Sequence, residues 1–373
     1  MKVAHVITGF SLGGAEQVAE DLSLRFRARG INVHMVGLVK PDPALIDFSA
    51  GMKQRLADAG VPCHELGATD KRIGLIRRLP ALAALLRRER FDLVHAHVDH
   101  AEFAVSMVRR THRLTLARTI HNVVLWPGHR LLGKISERGW NDDLVIAVSP
   151  AAMDAHVELR RSLGLELSEH RQTILNGVPF RGDDSAKVRT GLLQAAFFGR
   201  STPQKGLDVL IAALRALQDS AAAFHLTIYS DAVHDDGFRQ AVADMTNVTL
   251  LPPVTDARQR ISDFDLLIMP SRFEGLPLVA LEAFASGTPV LATDAPGLRA
   301  VLPPDWPLRA PNEDAPALAC KLAEAAADVD GTRRLRAVAA EHGRQFSVDR
   351  MCERYLDAYD AYLSTASSHR RNG

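Results

Sequence analysis

Short apolar runs alternate with longer helical patterns along almost the whole chain. The run VAHVIT is followed by a helical pattern over about 14–29, and the pattern over about 75–90 by DLVHAH and LTLARTIH. Alternation of this kind predicts βαβ units around a parallel sheet. The regularity lapses over 179–191, PFRGDDSAKVRTG, and then restarts with LQAAFFGR. In a chain of 373 residues, the restart predicts an α/β protein with two doubly wound domains and a linker.

The expected boundaries follow from this restart. We predict a first Rossmann-like domain over 1–188, a second over 189–346, a last helix over 347–364 that packs back on the first domain, and a disordered tail over 365–373. Sheets of this type bind ligands beyond the carboxyl ends of their strands, so the two domains are expected to face each other across a cleft.

The composition is that of a folded globular protein, with 47% hydrophobic and 24% charged residues. The net charge is +1, but the first half carries an excess of basic residues and the second an excess of acidic ones. A basic half attracts anionic partners such as phosphorylated substrates, nucleic acid or lipid, although a solvated basic face is the simpler alternative. Nucleic acid is not expected, because aromatic residues are not interleaved among the cations.

The cysteines, the opening residues and the lengths of the apolar runs bear on the expected cellular location. Cys63, Cys320 and Cys352 are odd in number and far apart, which is typical of reduced thiols in a cytosol. The opening MKVAHVITGF has no long apolar region or cleavage site and is predicted to be a strand. Because no run of about 18 apolar residues occurs, no membrane-spanning helix is expected, and the reduced thiols favour a cytoplasmic protein. Peripheral attachment to the inner face of the cell membrane stays open, since 71–90 and 109–118 are strongly basic, although a solvated helix face is favoured for them.

A candidate anion site lies in the stretch FFGRSTPQKGLDVLIAAL. Here a strand ends near Arg200, and Lys205 and Gly206 precede a helix. Glycine permits close backbone approach, the helix start offers free N–H groups, and the two cations can hold a diphosphate. Two solvated cations in an ordinary βα loop explain the same residues equally well.

Two carboxylates follow the next apolar strand in SRFEGLPLVALE. Glu274 lies at the predicted strand end, Gly275 and Leu276 would offer backbone N–H groups to an anion, and Glu282 lies inside the next helix. Carboxylates accept hydrogen bonds from sugar hydroxyls, so the pair suits a polyhydroxyl ligand. A glycosidase acid–base pair is a rival, but it gives the nearby cations no purpose. The simplest alternative is one glutamate at a helix start and one on the surface.

Two other patterns are open to more than one interpretation. Gly13 and Gly14 in TGFSLGGAEQV make a strand–turn–helix junction that suits an anion, or a purely structural turn, and the GxGxxG fingerprint is absent. His95, His97 and His100, with Asp99, suggest a metal, but no ligand set with defined spacing completes them, so no metal and no cofactor are expected. The DFD at 263–265 is expected to cap a helix and start a strand rather than to bind metal.

The motifs taken in order resemble retaining glycosyltransferase family 4, which has the GT-B fold, from the first strand to the last helix. The family's E-x7-E element corresponds to EGLPLVALE, its phosphate element to GR followed by KG, and its first-domain elements to GGAE, DLVHAH, TIHN and NGV. The resemblance implies an acceptor-binding first domain and a second domain that binds a nucleotide sugar.

The resemblance also implies roles for single residues. Glu274 would contact the donor hexose, Glu282 the nucleotide ribose, and Arg200 with Lys205 the diphosphate. His121, in TIHN, would lie near the transferred sugar, and Gly13 with Gly14 would form the first loop beside the donor phosphates. Arg200, Lys205, Glu274 and His121 would then be the catalytic residues, and Gly275 and Leu276 would belong to the donor site.

The predicted function is retaining, metal-independent transfer of a hexosyl group from a nucleotide sugar, a UDP-sugar before GDP-mannose, to a hydroxyl of a glycan or lipid-linked acceptor. Cell-surface polysaccharide or glycolipid synthesis is the expected setting. A nucleotide-sugar epimerase and a non-catalytic nucleotide-sugar-binding protein remain the alternatives. Three departures from the family pattern leave base and sugar open, namely DAVHDDG after the strand LTIYS, Pro252 with Pro253, and Arg299.

Overall fold

The computed structural model describes residues 1–11, 13–180, 191–218, 220, 222–254 and 257–371. The chain forms two compact units, Met1–Asn176 with Val348–Gly373, and Gly177–Ser347. The division therefore comes after residue 176 and not after 188, because Val178 pairs with Ser347 and donates its N–H to the Phe346 carbonyl. Most of the predicted linker, 181–190, lies outside the described residues.

The first unit is built on one seven-stranded parallel sheet in the order β3-β2-β1-β4-β5-β6-β7. Its strands are β1 (Lys2–Ile7), β2 (Asn32–Val39), β3 (Cys63–Ala68), β4 (Leu93–His97), β5 (Leu116–Ile120), β6 (Leu144–Ala147) and β7 (Arg171–Thr173). Its helices before the second unit are α1 (Gly14–Ala28), α2 (Ile46–Asp58), α3 (Ile73–Glu89), α4 (Asp99–Arg109), α5 (Arg130–Glu137) and α6 (Pro150–Ser162). The strand order reverses between β1 and β4, which is where such sheets open a ligand crevice.

The second unit repeats this architecture with six parallel strands in the order β10-β9-β8-β11-β12-β13. Its strands are β8 (Leu193–Phe198), β9 (Phe224–Tyr229), β10 (Val248–Leu251), β11 (Leu266–Met269), β12 (Val290–Thr293) and β13 (Arg309–Ala310). Its helices are α7 (Leu207–Ala216), α8 (Asp236–Val242), α9 (Ala257–Arg260), α10 (Leu278–Ala285), α11 (Ala315–Ala327) and α12 (Val329–Gly343). The order reverses between β8 and β11. The predicted class, two doubly wound α/β domains, is confirmed.

Strand composition explains this layering. The strands β4, β5, β6 and β11 are buried along their whole length, as expected for strands covered by helices on both faces. β6 and β11 are apolar throughout, whereas β4 and β5 also carry buried polar residues. Helix α6 begins where the sequence supplies a cap, because Ser149 accepts a hydrogen bond from the Ala152 N–H at 3.2 Å and Pro150 lies in the first turn.

The C-terminal helix, α13 (Val348–Arg371), belongs to the first unit. Tyr355 and Tyr359 are fully buried, and the Tyr359 ring lies edge-on to Phe26 of α1 with centroids 5.8 Å apart. The helix continues to Arg371, past residue 364 where the sequence predicted a disordered tail to begin. Helical backbone therefore extends beyond the part of the helix whose apolar residues are packed. Among the described residues, no helix is both long and apolar enough to cross a membrane.

Candidate functional site

An ion pair lies at the point of reversal in the second sheet. The Lys205 Nζ is 2.7 Å from the Glu274 Oε1, and the Glu274 side chain is only 6% exposed. The Ser271 hydroxyl donates to the same oxygen at 2.8 Å, and the Gln204 amide donates to Oε2 at 3.2 Å. Three side chains from the β8–α7 and β11–α10 loops thus hold one carboxylate in a fixed orientation.

Two glycines let the backbone close around this pair. Gly206, at the start of α7, has φ +64°, and a Cβ there would lie 2.0 Å from the Pro270 carbonyl oxygen. Gly297 has φ +83°, and a Cβ there would lie 2.1 Å from the Glu274 carbonyl oxygen. Any side chain at either position would strain the backbone and push the loops apart. Gly206 therefore lets the loop that carries Lys205 approach the end of β11, and Gly297 lets the loop after β12 approach the Glu274 backbone.

Arg200 follows β8 at the same edge of the sheet, and its side chain is exposed. Among the described residues, no ion pair or side-chain hydrogen bond holds its guanidinium. The structure thus places the two predicted cations on one loop, but only Lys205 is fixed by a carboxylate. A guanidinium with five donors and no fixed partner can turn toward an anion.

Glu282 lies on α10, one helix turn and more beyond the loop that carries Glu274. Its Oε1 is 2.5 Å from the Nε of Arg258, and the glutamate side chain is 6% exposed. Pro179, Ala285 and Ser286 join these two residues around a small cavity of about 80 Å³. The carboxylate is therefore buried and paired rather than on the surface, against the simplest sequence alternative.

Gly275 and Leu276 are buried in the turn between Glu274 and α10, which begins at Leu278 after Pro277. The Glu274 N–H donates to the Pro296 carbonyl at 2.9 Å, so the turn is anchored by its first residue. The predicted anion-facing backbone therefore lies directly beside the Lys205–Glu274 pair.

In the first unit, Gly13 and Gly14 lie where α1 begins after β1, at the reversal between β1 and β4. Gly13 is extended, with φ −159°, so left-handed strain does not explain the glycine. A Cβ on Gly13 would lie 2.2 Å from the Glu16 Oε2, so the glycine makes room for that carboxylate. Glu16 in the first turn also brings negative charge to this helix start, which weakens it as an anion site.

His121 follows β5, and its Nε2 lies 3.1 Å from the Nδ1 of His97 at the end of β4. The His97 Nε2 in turn lies 2.8 Å from the Nδ1 of His5 on β1. Burial lowers the pKa of His121 and of His5 to about 3, and that of His97 well below its usual range. All three rings are neutral at physiological pH.

Two of the histidines that suggested a metal, His95 and His97, take part in buried hydrogen bonds instead. His5, His95 and His97 do lie close enough to share an ion. However, the His95 Nε2 is hydrogen-bonded to the Thr119 hydroxyl at 2.8 Å, and its Nδ1 to the Tyr359 hydroxyl. Apart from the Nε2 of His5, the ring nitrogens of these three histidines are engaged with one another, with His121 and with hydroxyls, and this fits a buried hydrogen-bond network better than a ligand set. His100 packs edge-on against His129 instead, with centroids 5.8 Å apart.

The DFD segment and Glu274 lie at opposite ends of β11, because Asp265 precedes that strand and Glu274 follows it. Asp265 is fully buried, accepts the Gln194 N–H at 2.9 Å and pairs with Arg333 at 3.0 Å. Asp263 ends a short 3₁₀ turn, Ile261–Asp263. Asp265 therefore joins β8, β11 and α12.

The loop over 123–134, which follows His121, is anchored at Trp126. Its N–H donates to the Asp99 Oδ2 at 3.2 Å, and its side chain is buried. Burial raises the pKa of Asp99 to about 6. Trp126 and Val98 both have positive φ, 54° and 66°, and such strain in a non-glycine residue clusters at functional sites.

The motifs did not reveal the residues that hold the predicted ones, namely Gln204, Ser271, Arg258, Gly297 and His5, or the contact of His97 with His121. Gln204 and Ser271 stand within the stretches already singled out, so their polar side chains beside a charged residue were an available signal. Arg258 and His5 lie far from their partners in the chain, and only the folded topology brings them there.

Two family profiles match the chain, "Glycosyltransferase Family 4" over residues 12–178 and "Glycosyl transferases group 1" over 193–328. The D-inositol 3-phosphate glycosyltransferase of Nocardia farcinica is 30% identical, and the match covers 76% of this chain and 71% of that protein. The chain belongs to glycosyltransferase family 4.

Other family 4 relatives match over nearly the full length. The D-inositol 3-phosphate glycosyltransferase of Thermomonospora curvata is 28% identical, with 95% of this chain and 93% of that protein covered. The solved structure of Anabaena Alr3699/HepE in complex with UDP and glucose gives a TM-score of 0.79 at 18% identity, over 97% of this chain and 100% of that one. This family 4 protein therefore has the GT-B fold, as the sequence predicted, and is a glycosyltransferase.

Proposed function

We propose that the protein transfers a hexosyl group from a nucleotide sugar to a hydroxyl of a glycan or lipid-linked acceptor, with retention of anomeric configuration. The observation that carries this proposal is the Lys205–Glu274 pair at the reversal of the second sheet, held by Ser271 and Gln204. A cation and an oriented carboxylate at that point suit a ligand with a phosphate next to a polyhydroxyl group.

The proposed chemistry needs no side-chain base. The bond between the sugar C1 and the diphosphate oxygen breaks, the acceptor oxygen bonds to C1, and the acceptor proton passes to the leaving phosphate. Lys205 and Arg200 stabilise the negative charge that grows on the diphosphate, and the Gly275 and Leu276 backbone lies beside them. Glu274 accepts hydrogen bonds from the sugar hydroxyls, and Glu282 from the ribose.

The first unit is proposed to bind the acceptor and the second the donor. His121 would lie beside the transferred sugar, with Gly13 and Gly14 at the donor phosphates. The anchored loop over 123–134 is the proposed source of acceptor contacts, because Trp126 within it has a positive φ and is hydrogen-bonded to Asp99, the residue after Val98, whose φ is also positive.

UDP is the proposed nucleotide, because a structural neighbour binds UDP and glucose. Several relatives act on D-inositol 3-phosphate, so a phosphorylated polyol deserves inclusion among the acceptors tested. A role in cell-surface polysaccharide or glycolipid synthesis is part of the same proposal, as is independence of metal ions. The network supports metal independence, since five of the six ring nitrogens of His5, His95 and His97 already have hydrogen-bond partners.

Thermal unfolding with UDP, GDP and ADP, alone and carrying glucose, N-acetylglucosamine, galactose or mannose, tests the donor. A ligand at about 100 times its Kd adds about 2.7 kcal/mol to the stability of the folded protein. We expect a shift with one nucleotide and a larger one with one of its sugars, unchanged by EDTA. No shift of the wild type with any nucleotide would contradict the donor site.

Turnover then separates transfer from the alternatives. Incubation of the chosen donor with candidate acceptors should yield nucleotide diphosphate and a glycoside in equal amounts, with the donor anomeric configuration kept. An altered free nucleotide sugar without acceptor would indicate an epimerase, and binding without any product a non-catalytic protein.

Membrane attachment is tested separately. Ile73 and Ile76, within the basic tract at the start of α3, are 64% and 50% exposed. Apolar side chains among cations suit the surface of an anionic bilayer. Cosedimentation with phosphatidylglycerol vesicles, lost in Ile73→Ser/Ile76→Ser and absent with phosphatidylcholine vesicles, would support attachment; equal cosedimentation of both proteins would contradict it.

A further inference from the structure

Three histidines form a continuous row across the first sheet. The row, defined as His5, His97 and His121, runs from β1 through the end of β4 to the residue after β5. The contacts are His5 Nδ1 to His97 Nε2 at 2.8 Å and His97 Nδ1 to His121 Nε2 at 3.1 Å. Each contact joins a nitrogen of one ring to a nitrogen of the next.

The hydrogen bonds in such a row must all be donated in the same direction along it. A neutral imidazole has one N–H donor and one bare acceptor nitrogen, and burial keeps these rings neutral. If His5 donates to His97, then His97 donates to His121, and the proton of His121 is on Nδ1. In the opposite direction, His121 and His97 donate from Nε2, and the Nε2 of His5 must carry the last proton.

The buried end of the row decides between these directions. The Nε2 of His5 is buried, and among the described residues it has no hydrogen-bond partner. A buried N–H without an acceptor is rarer in proteins than an unsatisfied acceptor. The neighbouring rings of Phe26, His95 and His97 are tilted by 36°, 36° and 44° to His5, with centroids 5.8, 5.4 and 5.1 Å apart, and none has the edge-on geometry of an N–H donating to a ring face. The Nε2 of His5 is therefore the bare acceptor.

We propose that His5 and His97 are positioning residues that hold His121 in the Nδ1–H tautomer, so that His121 donates a hydrogen bond to a ligand oxygen. The row fixes the ring through Nε2 and leaves Nδ1 for the ligand. This inference rests on the proposed function only for the nature of the ligand, a sugar or its leaving oxygen.

Nitrogen NMR of the protein labelled with ¹⁵N-histidine tests the tautomer directly, without substrate. His121→Gln identifies the His121 signals by their loss. We expect a single tautomer in the wild type, with the proton on Nδ1. A wild-type His121 with its proton on Nε2 would overturn the proposal.

Two substitutions of His97 separate positioning from packing. His97→Phe keeps a ring against His95 but removes both nitrogens, so His121 loses its donor. We expect mixed tautomers and kcat lowered about 5- to 10-fold, the equivalent of one hydrogen bond, with the donor KM unchanged. His97→Asn keeps an amide N–H for the His121 Nε2 and should restore the Nδ1–H tautomer and most of kcat. If His97→Phe and His97→Asn have the same His121 tautomer and the same kcat as each other, the proposal is overturned.

The chain offers a matched control in the same sheet. His34 on β2 and His64 on β3 form another histidine pair, with Nδ1 and Nε2 2.9 Å apart. His34→Phe should change neither the His121 tautomer nor kcat. If the wild type turns over no nucleotide sugar at all, the proposed function fails, whereas the NMR result still decides the tautomer.

Discussion

Lys205→Ala separates the structural effect of the Lys205–Glu274 pair from its proposed catalytic effect. Breaking a buried ion pair by removing one partner costs about 3–5 kcal/mol, because a charge is left uncompensated. Here Lys205 is 20% exposed, and Glu274 keeps the Ser271 and Gln204 hydrogen bonds. We therefore expect a smaller loss of unfolding free energy, about 2 kcal/mol.

The double variant Lys205→Ala/Glu274→Gln identifies the cause of that loss. A glutamine can still accept from Ser271, and no buried charge remains without a cation. We expect the double variant to be more stable than Lys205→Ala alone, by about 1 kcal/mol in urea unfolding. Lys321→Ala is the matched control, because Lys321 forms a 2.8 Å pair with Glu324 on an exposed helix face. That change should cost no more than about 0.5 kcal/mol.

The kcat values of these variants should not follow their stabilities. If Lys205 stabilises charge on the leaving diphosphate, its loss lowers kcat about 10²- to 10³-fold, the range for a preorganised donor at a developing anion. Relief of the buried charge in the double variant restores stability without restoring turnover. Release of nucleotide diphosphate measured with saturating acceptor gives kcat for each protein. A folded Lys205→Ala with wild-type kcat would refute the assignment of Lys205.

Three further changes have defined outcomes. Glu282→Gln should weaken UDP binding about 10-fold in calorimetry through the loss of a charged acceptor for the ribose, with Glu324→Gln unchanged; equal affinity would contradict the ribose role. Arg118→Met should cost about 3–5 kcal/mol in urea unfolding, because Glu102 and Glu137 lie 3.1 and 2.8 Å from that guanidinium and are buried; a loss under 1 kcal/mol would contradict this. Lowering the pH from 7 to 5 should destabilise the protein, because burial depresses the pKa of His5, His95, His97 and His121 and the unfolded chain then takes up more protons below pH 6.5. Each histidine contributes about 2 kcal/mol to this loss. Burial raises the pKa of Glu102 to about 8, so the folded protein holds a proton there that the unfolded chain largely lacks, and lowering the pH stabilises the protein at this one group. The loss of stability between pH 7 and pH 5 should be smaller in His97→Phe than in wild type.

The fold could be predicted from sequence because its signal is local. Alternating apolar runs and helical patterns fix strands and helices within each βα unit, and the restart at LQAAFFGR separates the two sheets. The domain boundary was wrong for a physical reason, since one bridge, Val178 to Ser347, assigns 177–180 to the second unit. The end of α13 was also wrong, because a polar composition does not by itself stop a helix.

The candidate site could be predicted in its positions but not in its contacts. Arg200, Lys205, Glu274 and Glu282 each lie in a βα loop or helix start whose position follows from local pattern. Which side chains pair is a different matter. Lys205 and Glu274 are far apart in the chain, and so are Arg258 and Glu282. Adjacency of β8 and β11 brings the first pair together, and that adjacency depends on strand order.

Buried polar residues on apolar strands show what strand register adds. His5, His95 and His97 each stand between apolar neighbours in the sequence, and Thr119 stands between Arg118 and Ile120. In the sheet, His5 is in register with His95, and His97 with Thr119. A buried polar group without a partner is costly, so one such residue on a strand requires another on the adjacent strand. Each histidine therefore predicts a partner, and only the order β1-β4-β5 identifies it, which is why the row that orients His121 emerges from the fold and not from any one motif.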